Sequence, residues 1–107
     1  MKQVIDIKTL QSHFANDLVF ITQHAAERCR QRNIKMKDIR EVLMNGTIIE
    51  QYPQDFPFPS CLIMGYSKKK VPVHIVMSEE GNASRIITAY VPTLERWEPD
   101  YKKRRGQ

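Results

Sequence analysis

The hydrophobic pattern predicts an α+β fold: N-terminal helices followed by a roughly four-stranded antiparallel sheet, with the helices packed on the sheet. Three observations carry this. Apolar residues recur at three- and four-residue spacing as far as Met44, the helical period. After Asn45-Gly46 the pattern changes to short runs rich in Ile, Val, Thr and Tyr, as strands require. Those runs are separated by tight polar turns, which join consecutive strands antiparallel. A chain of 107 residues with 41% hydrophobic and 27% charged residues suits one soluble domain with a modest core.

Val4, Ile7, Leu10 and Phe14 predict a first amphipathic helix over residues 3–15. Asn16-Asp17 ends it, and Leu18 to Ile21 is a brief extended stretch. Thr22 is a natural N-cap, its hydroxyl accepting a backbone N–H, for a second helix reaching Arg32. Asn33, which tolerates the left-handed conformation, stops that helix. A third follows over about 35–44, burying Ile39, Val42 and Leu43. Strands are expected at 47–52, 60–66, 71–78 and 85–91. The loop 53–59 is stiffened by three prolines, and 67–70 and 79–82 are turns. On the third strand, His74 points away from Val73, Ile75 and Met77, towards a more polar face. On the fourth, Ile86, Thr88 and Tyr90 are expected to share a face. Which sheet face the helices cover stays open. Residues 1–101 form the expected single domain, with 1–17 a helical extension and 102–107 a basic tail.

The net charge of +5 is unevenly spread: Lys102-Lys103-Arg104-Arg105 supplies four positive charges and leaves +1 for the rest. Residues 22–40 hold six Lys or Arg against two acids, whereas 41–67 hold three acids and no Lys or Arg. Positive charge concentrated in one helical region and the tail suits a polyanionic partner. No apolar run approaches the roughly 20 residues of a membrane span, and Met1 to Thr9 lacks the apolar core of a signal peptide. Cys29 and Cys61 are isolated and fit neither a disulfide framework nor a CxxC motif, so a reducing cytoplasm is the expected setting.

Among titratable residues, His24 and Arg28 stand out. At a spacing of four they share a helix face, with Gln31 and Arg32 one turn further on. The first helical turn, with its free N–H groups, also attracts an anion, so a phosphate there would meet His24, Arg28 and the backbone together. His74, Thr88 and Tyr90 are the matching candidates on the sheet. His13, near the end of the first helix, reads as a surface residue. Of the aromatic residues, most are expected in the core, with Tyr90 and Trp97 bordering a cleft. His24, His74, Cys29 and Cys61 could ligate zinc, but none falls at a ligand-pair spacing, so no metal and no cofactor are expected.

Several fragments together resemble the bacterial domain-of-unknown-function family numbered 4258. They are His24-Ala25 with Glu27-Arg28, Asn45-Gly46, Glu50-x-Tyr52-Pro53, Pro72-Val73-His74-Ile75-Val76, Ile86 to Pro92, and Trp97 with Asp100. The likeness spans residues 18–105. It implies the barnase–EndoU–colicin–RelE class of RNase folds, and so a small metal-independent endoribonuclease, the toxin of a toxin–antitoxin pair. The implied partners are RNA, in this class often ribosome-bound, and a cognate antitoxin protein; no membrane is involved. His24, Arg28, His74, Thr88 and Tyr90 fall at the catalytic positions so implied, and Arg32, Trp97 and Arg104 at substrate-binding ones. One histidine would act as base and the other as acid, in an order left open. Lys35 departs from the pattern, standing where a Ser or Thr cap is expected. The rival readings are a non-catalytic RNA- or ribosome-binding module and a protein-interaction domain.

Overall fold

In the computed structural model, which describes residues 4–106, three helices cover one face of a five-stranded mixed sheet. The helices are α1 (Ile7–Ala15), α2 (Gln23–Gln31) and α3 (Met36–Asn45). The strands are β1 (Val19–Ile21), β2 (Thr47–Tyr52), β3 (Ser60–Tyr66), β4 (Pro72–Glu79) and β5 (Ser84–Tyr90). Their order in the sheet is β1-β5-β4-β3-β2. β2 to β5 form the expected antiparallel meander. The fifth strand corrects the four-stranded expectation: Val19–Ile21 pairs with Ser84–Ile86, and does so in parallel. No helix among the described residues is long and apolar enough to cross a membrane.

Caps explain the helix limits. α1 starts at Ile7, later than periodicity alone predicts, because the Asp6 carboxylate accepts the Lys8 N–H; the expected start at Gln3 lies outside the described residues. Thr22 caps α2 as expected, its Oγ1 accepting from the Ala25 N–H at 2.9 Å. Asn33 follows α2 with φ 55°, the left-handed stop its side chain tolerates. Lys35 offers α3 no acceptor; the Asp38 carboxylate instead reaches back to the Lys35 N–H at 2.9 Å, half of a capping box. Gly46 and Gly65 let the end of α3 lie against β3: a Cβ on either would come within 2.4 and 2.6 Å of the Val42 carbonyl.

The core joins Ala25, Cys29, Ile39, Val42 and Leu43 of the helices to Cys61, Ile63, Val73, Ile75, Met77, Ile86 and Ala89 of the sheet. The helices therefore lie on the face away from His74. His13 corrects its surface reading: it is buried, with Nδ1 2.6 Å from the Ser84 hydroxyl. Phe56, Phe58 and Tyr66 correct the expectation of aromatic core residues, since all three are exposed.

Two bulges decide which side chains reach the far face. In β2, Ile48 pairs with Ile63 but Glu50 pairs with Leu62, a one-residue slip that turns Glu50 away from the helices. In β5, Thr88 pairs with Val76 while Ile86 pairs with Met77. That slip breaks the expected common face: Ile86 enters the core beneath the helices, and Thr88 and Tyr90 stay on the side of His74.

Candidate functional site

α2 follows directly from β1 and packs along β5. Ala25 and Cys29 face inward and are buried, which leaves His24 and Arg28 on the exposed side. The Arg28 Nε–H points at His24 Nε2 across 3.4 Å, a long contact between neighbours one turn apart. Arg32, at the C-cap, turns back towards the sheet. Its Nη1 donates to the Ala89 carbonyl at 2.8 Å and lies 3.5 Å from Thr88 Oγ1. It can reach that carbonyl because β1 pairs with β5 only as far as Ile86, so among the described residues the outer side of the second half of β5 has no strand partner. His24, Arg28 and Arg32 thus form a solvent-facing row along an uncovered sheet edge. Imidazole and guanidinium together can bind a phosphate and take a proton.

The far face holds a second cluster that is closed. His74, directly opposite Tyr90 in the register, is fully buried. Its Nε2 lies 2.6 Å from the Tyr101 carbonyl and its Nδ1 3.2 Å from the Tyr90 hydroxyl. A carbonyl can only accept, so Nε2 carries the proton and Nδ1 accepts from Tyr90. The Trp97 ring meets the imidazole edge-on at 4.4 Å, and the Arg104 guanidinium lies 4.7 Å above the Trp97 ring. Arg104 also grips Glu50 with two hydrogen bonds, of 2.9 and 3.1 Å, and the Tyr52 hydroxyl donates to the same carboxylate. An isolated bridge between Trp97 and Arg104 fastens this segment into a hairpin.

The electrostatics follow this packing. Burial holds the His74 pKa below the usual imidazole range, despite the opposing hydrogen bond to Tyr101. Arg104 holds the Glu50 carboxyl below the usual range. Burial, then the bond to Glu50, pushes Tyr52 up to about 12. Burial raises Tyr90 as well, while Arg104 and Arg32 pull it down from two sides. A cleft of about 390 Å³ opens beside Tyr90, lined by Pro92, Arg96, Trp97 and Arg104 among others.

The predicted residues consequently divide. His24, Arg28, Arg32 and Thr88 gather at the β5 edge, and His74, Tyr90, Trp97 and Arg104 gather on the far face. The two histidines belong to opposite faces of the sheet, His24 exposed and His74 enclosed, with no contact between them. Glu50, Tyr52 and the Tyr101 carbonyl were not among the predicted site residues. Glu50 and Tyr52, two apart on one strand, share a face by period alone, but the bulge that turns both towards Arg104 has no sequence signal of its own. The stretch read as a basic tail is laid down on the sheet: besides Arg104, Arg105 donates to the Leu94 carbonyl and pairs with Glu98.

Both cysteines are buried, and burial raises both thiols, Cys61 to about 12. Among the described residues no three His, Cys, Asp or Glu side chains converge as a metal site. The family described as Domain of unknown function (DUF4258) matches residues 21–91. No curated protein and no solved structure matches the chain.

Proposed function

The chain belongs to the DUF4258 family, and we propose that it acts on RNA as a small metal-independent endoribonuclease whose site is the row along the open edge of β5. One observation carries this reading: Arg32, anchored on the Ala89 carbonyl, continues a line of exposed His24 and Arg28 at the outer side of β5, which no strand among the described residues covers beyond Ile86. The chemistry is attack of an RNA 2′-oxygen on the adjacent phosphorus. A 2′-O–P bond forms, the P–O5′ bond breaks, and a 2′,3′-cyclic phosphate and a 5′-hydroxyl result. His24 takes the 2′-hydroxyl proton, and the departing 5′-oxygen receives a proton from the imidazolium or from water. Arg28 and Arg32 stabilise the charge on the five-coordinate phosphate. His74 has no free ring nitrogen and serves as a positioning residue that holds Tyr90.

Incubation with RNA in EDTA tests this, with end analysis of the products. Wild type yields cyclic-phosphate and 5′-hydroxyl ends, and His24→Ala lowers the rate by about 100-fold or more. Equal background cleavage by wild type, His24→Ala and Arg28→Ala removes the enzymatic reading. As a toxin, the wild-type chain would arrest growth on expression, and His24→Ala would relieve the arrest. The burial of His74 favours one other reading, a non-catalytic RNA-binding module, because it leaves His24 without a second histidine as partner. In that case RNA binding survives His24→Ala and no product forms.

A further inference from the structure

A narrow groove of about 240 Å³ adjoins the Arg32 end of the row. It is assembled from three separate stretches: the α2–α3 junction, the β3–β4 turn, and Val91 just after β5. Its cations are Arg32, Lys35, Lys37 and Lys69, and its one acid is Asp38. That carboxylate is already occupied with the Lys35 backbone N–H. Among the described residues the ion pairs are at Arg30, Arg85, Arg104 and Arg105, so none of the four groove cations has a carboxylate partner. Val71 and Val91 bring exposed apolar surface to the groove. Unpaired cations beside an apolar strip suit a strand of alternating phosphates and nucleosides, whose backbone meets the cations while its sugars and bases cover the valines.

Resting on the proposed function above, we infer that this groove carries the single-stranded RNA flanking the phosphate held at Arg28 and Arg32. Arg32 belongs to both surfaces and makes them continuous. The strand passes from the β5 edge over Val91, with its backbone towards Lys35, Lys37 and Lys69. The basic run at the C-terminus, although denser in sequence, contributes less, because Arg104 and Arg105 are already paired with Glu50 and Glu98.

Fluorescence anisotropy with a labelled single-stranded 2′-O-methyl RNA, which cannot undergo 2′-oxygen attack, tests the path over a salt series. Lys37→Ala/Lys69→Ala is compared with the charge-matched Lys102→Ala/Lys103→Ala. The groove pair is expected to bind about tenfold more weakly and to flatten the log–log salt slope by about 1.4, the share of two phosphate contacts on a single strand. The tail pair is expected to stay within about twofold of wild type, since neither Lys102 nor Lys103 lines the groove. Equal losses in both pairs, or none in the groove pair, overturn the groove. If Arg28→Ala still weakens binding in that case, the proposed function stands without it. A wild-type chain with no affinity for the probe overturns both.

Discussion

The two sides of β5 use the same kinds of residue in opposite ways. On the far face, His74, Glu50 and Arg104 are drawn into one bonded nest under Trp97 and the Tyr101 carbonyl. At the edge, His24 and Arg28 are exposed and make one long contact with each other. A histidine whose two nitrogens are engaged in a buried site stabilises structure; one that is exposed beside unpaired cations is free to act on a ligand. Rank in the sequence does not separate them, since His24 and His74 are equally plausible as chemistry until their partners are known.

The sharpest way to break this comparison is truncation of each histidine in turn. His74→Ala removes a buried ring, leaves the Tyr101 carbonyl without its donor and opens space beside Trp97. The expected cost is about 3 kcal/mol. His24→Ala, on an exposed helix surface, should change stability by no more than about 0.5 kcal/mol. Urea unfolding of both variants decides the matter. Similar losses from the two would mean that the edge is as structural as the nest.

Acid sharpens the same contrast. Burial lowers the folded pKa of His74, so below the unfolded value of about 6.5 the unfolded chain binds the extra proton. Stability is therefore whole above that pH and falls as pH drops towards the lowered folded value, by at most about 1.4 kcal/mol per pH unit. Glu50 acts in a separate, lower window. Its folded pKa is depressed by Arg104, so its contribution is present above about 4.3 and is lost as pH falls through the folded value. Urea midpoints measured against pH should lose the upper step in His74→Gln and the lower one in Glu50→Gln. An unchanged upper step in His74→Gln would show that His74 is not held neutral by its site.

Arg104→Ala comes next in size. It strips Glu50 of a two-bonded partner and Trp97 of its covering cation, but the Arg104 side chain is 42% exposed, so solvent screens the pair. The expected loss is about 1 kcal/mol in urea unfolding, and Glu50→Gln in the same chain should recover part of it by removing the stranded charge. Failure of that recovery would mean that the hairpin packs through Trp97 alone.

Much of the fold was legible because helical and strand periods persist long enough to be counted. The matching strands at 47–52 and 60–66, the Thr22 cap and the Asn33 stop rest on such local rules. β1 was not legible as part of the sheet: three residues cannot carry a period, and its partner lies more than 60 positions away in the register. The β2 and β5 bulges were equally hidden, since a slip of one residue reverses every side chain beyond it. Hence Glu50 was missed, and Ile86 was wrongly grouped with Thr88 and Tyr90. His13 needed Ser84, 71 residues away, to explain its burial. The spacing of four puts His24 and Arg28 side by side on α2, but their position beside an open strand edge depends on where β1 stops.

Arg32 offers the smallest stability effect and the most pointed test of the difference between edge and nest. Its guanidinium is exposed and makes one good hydrogen bond, to the Ala89 carbonyl at 2.8 Å. That carbonyl lies at an edge where water can replace the donor, so Arg32→Ala should cost only about 0.5 kcal/mol. Its place on the row and in the adjoining groove predicts a larger effect on RNA, a loss of several-fold in affinity. Arg32→Lys should retain charge but lose the guanidinium N–H placed on the Ala89 carbonyl, giving an intermediate affinity with the salt dependence of wild type. Anisotropy and unfolding measured on the same three proteins separate the roles. If stability falls and affinity does not, Arg32 is only a staple between α2 and β5. If affinity falls while stability holds, the open edge binds the ligand.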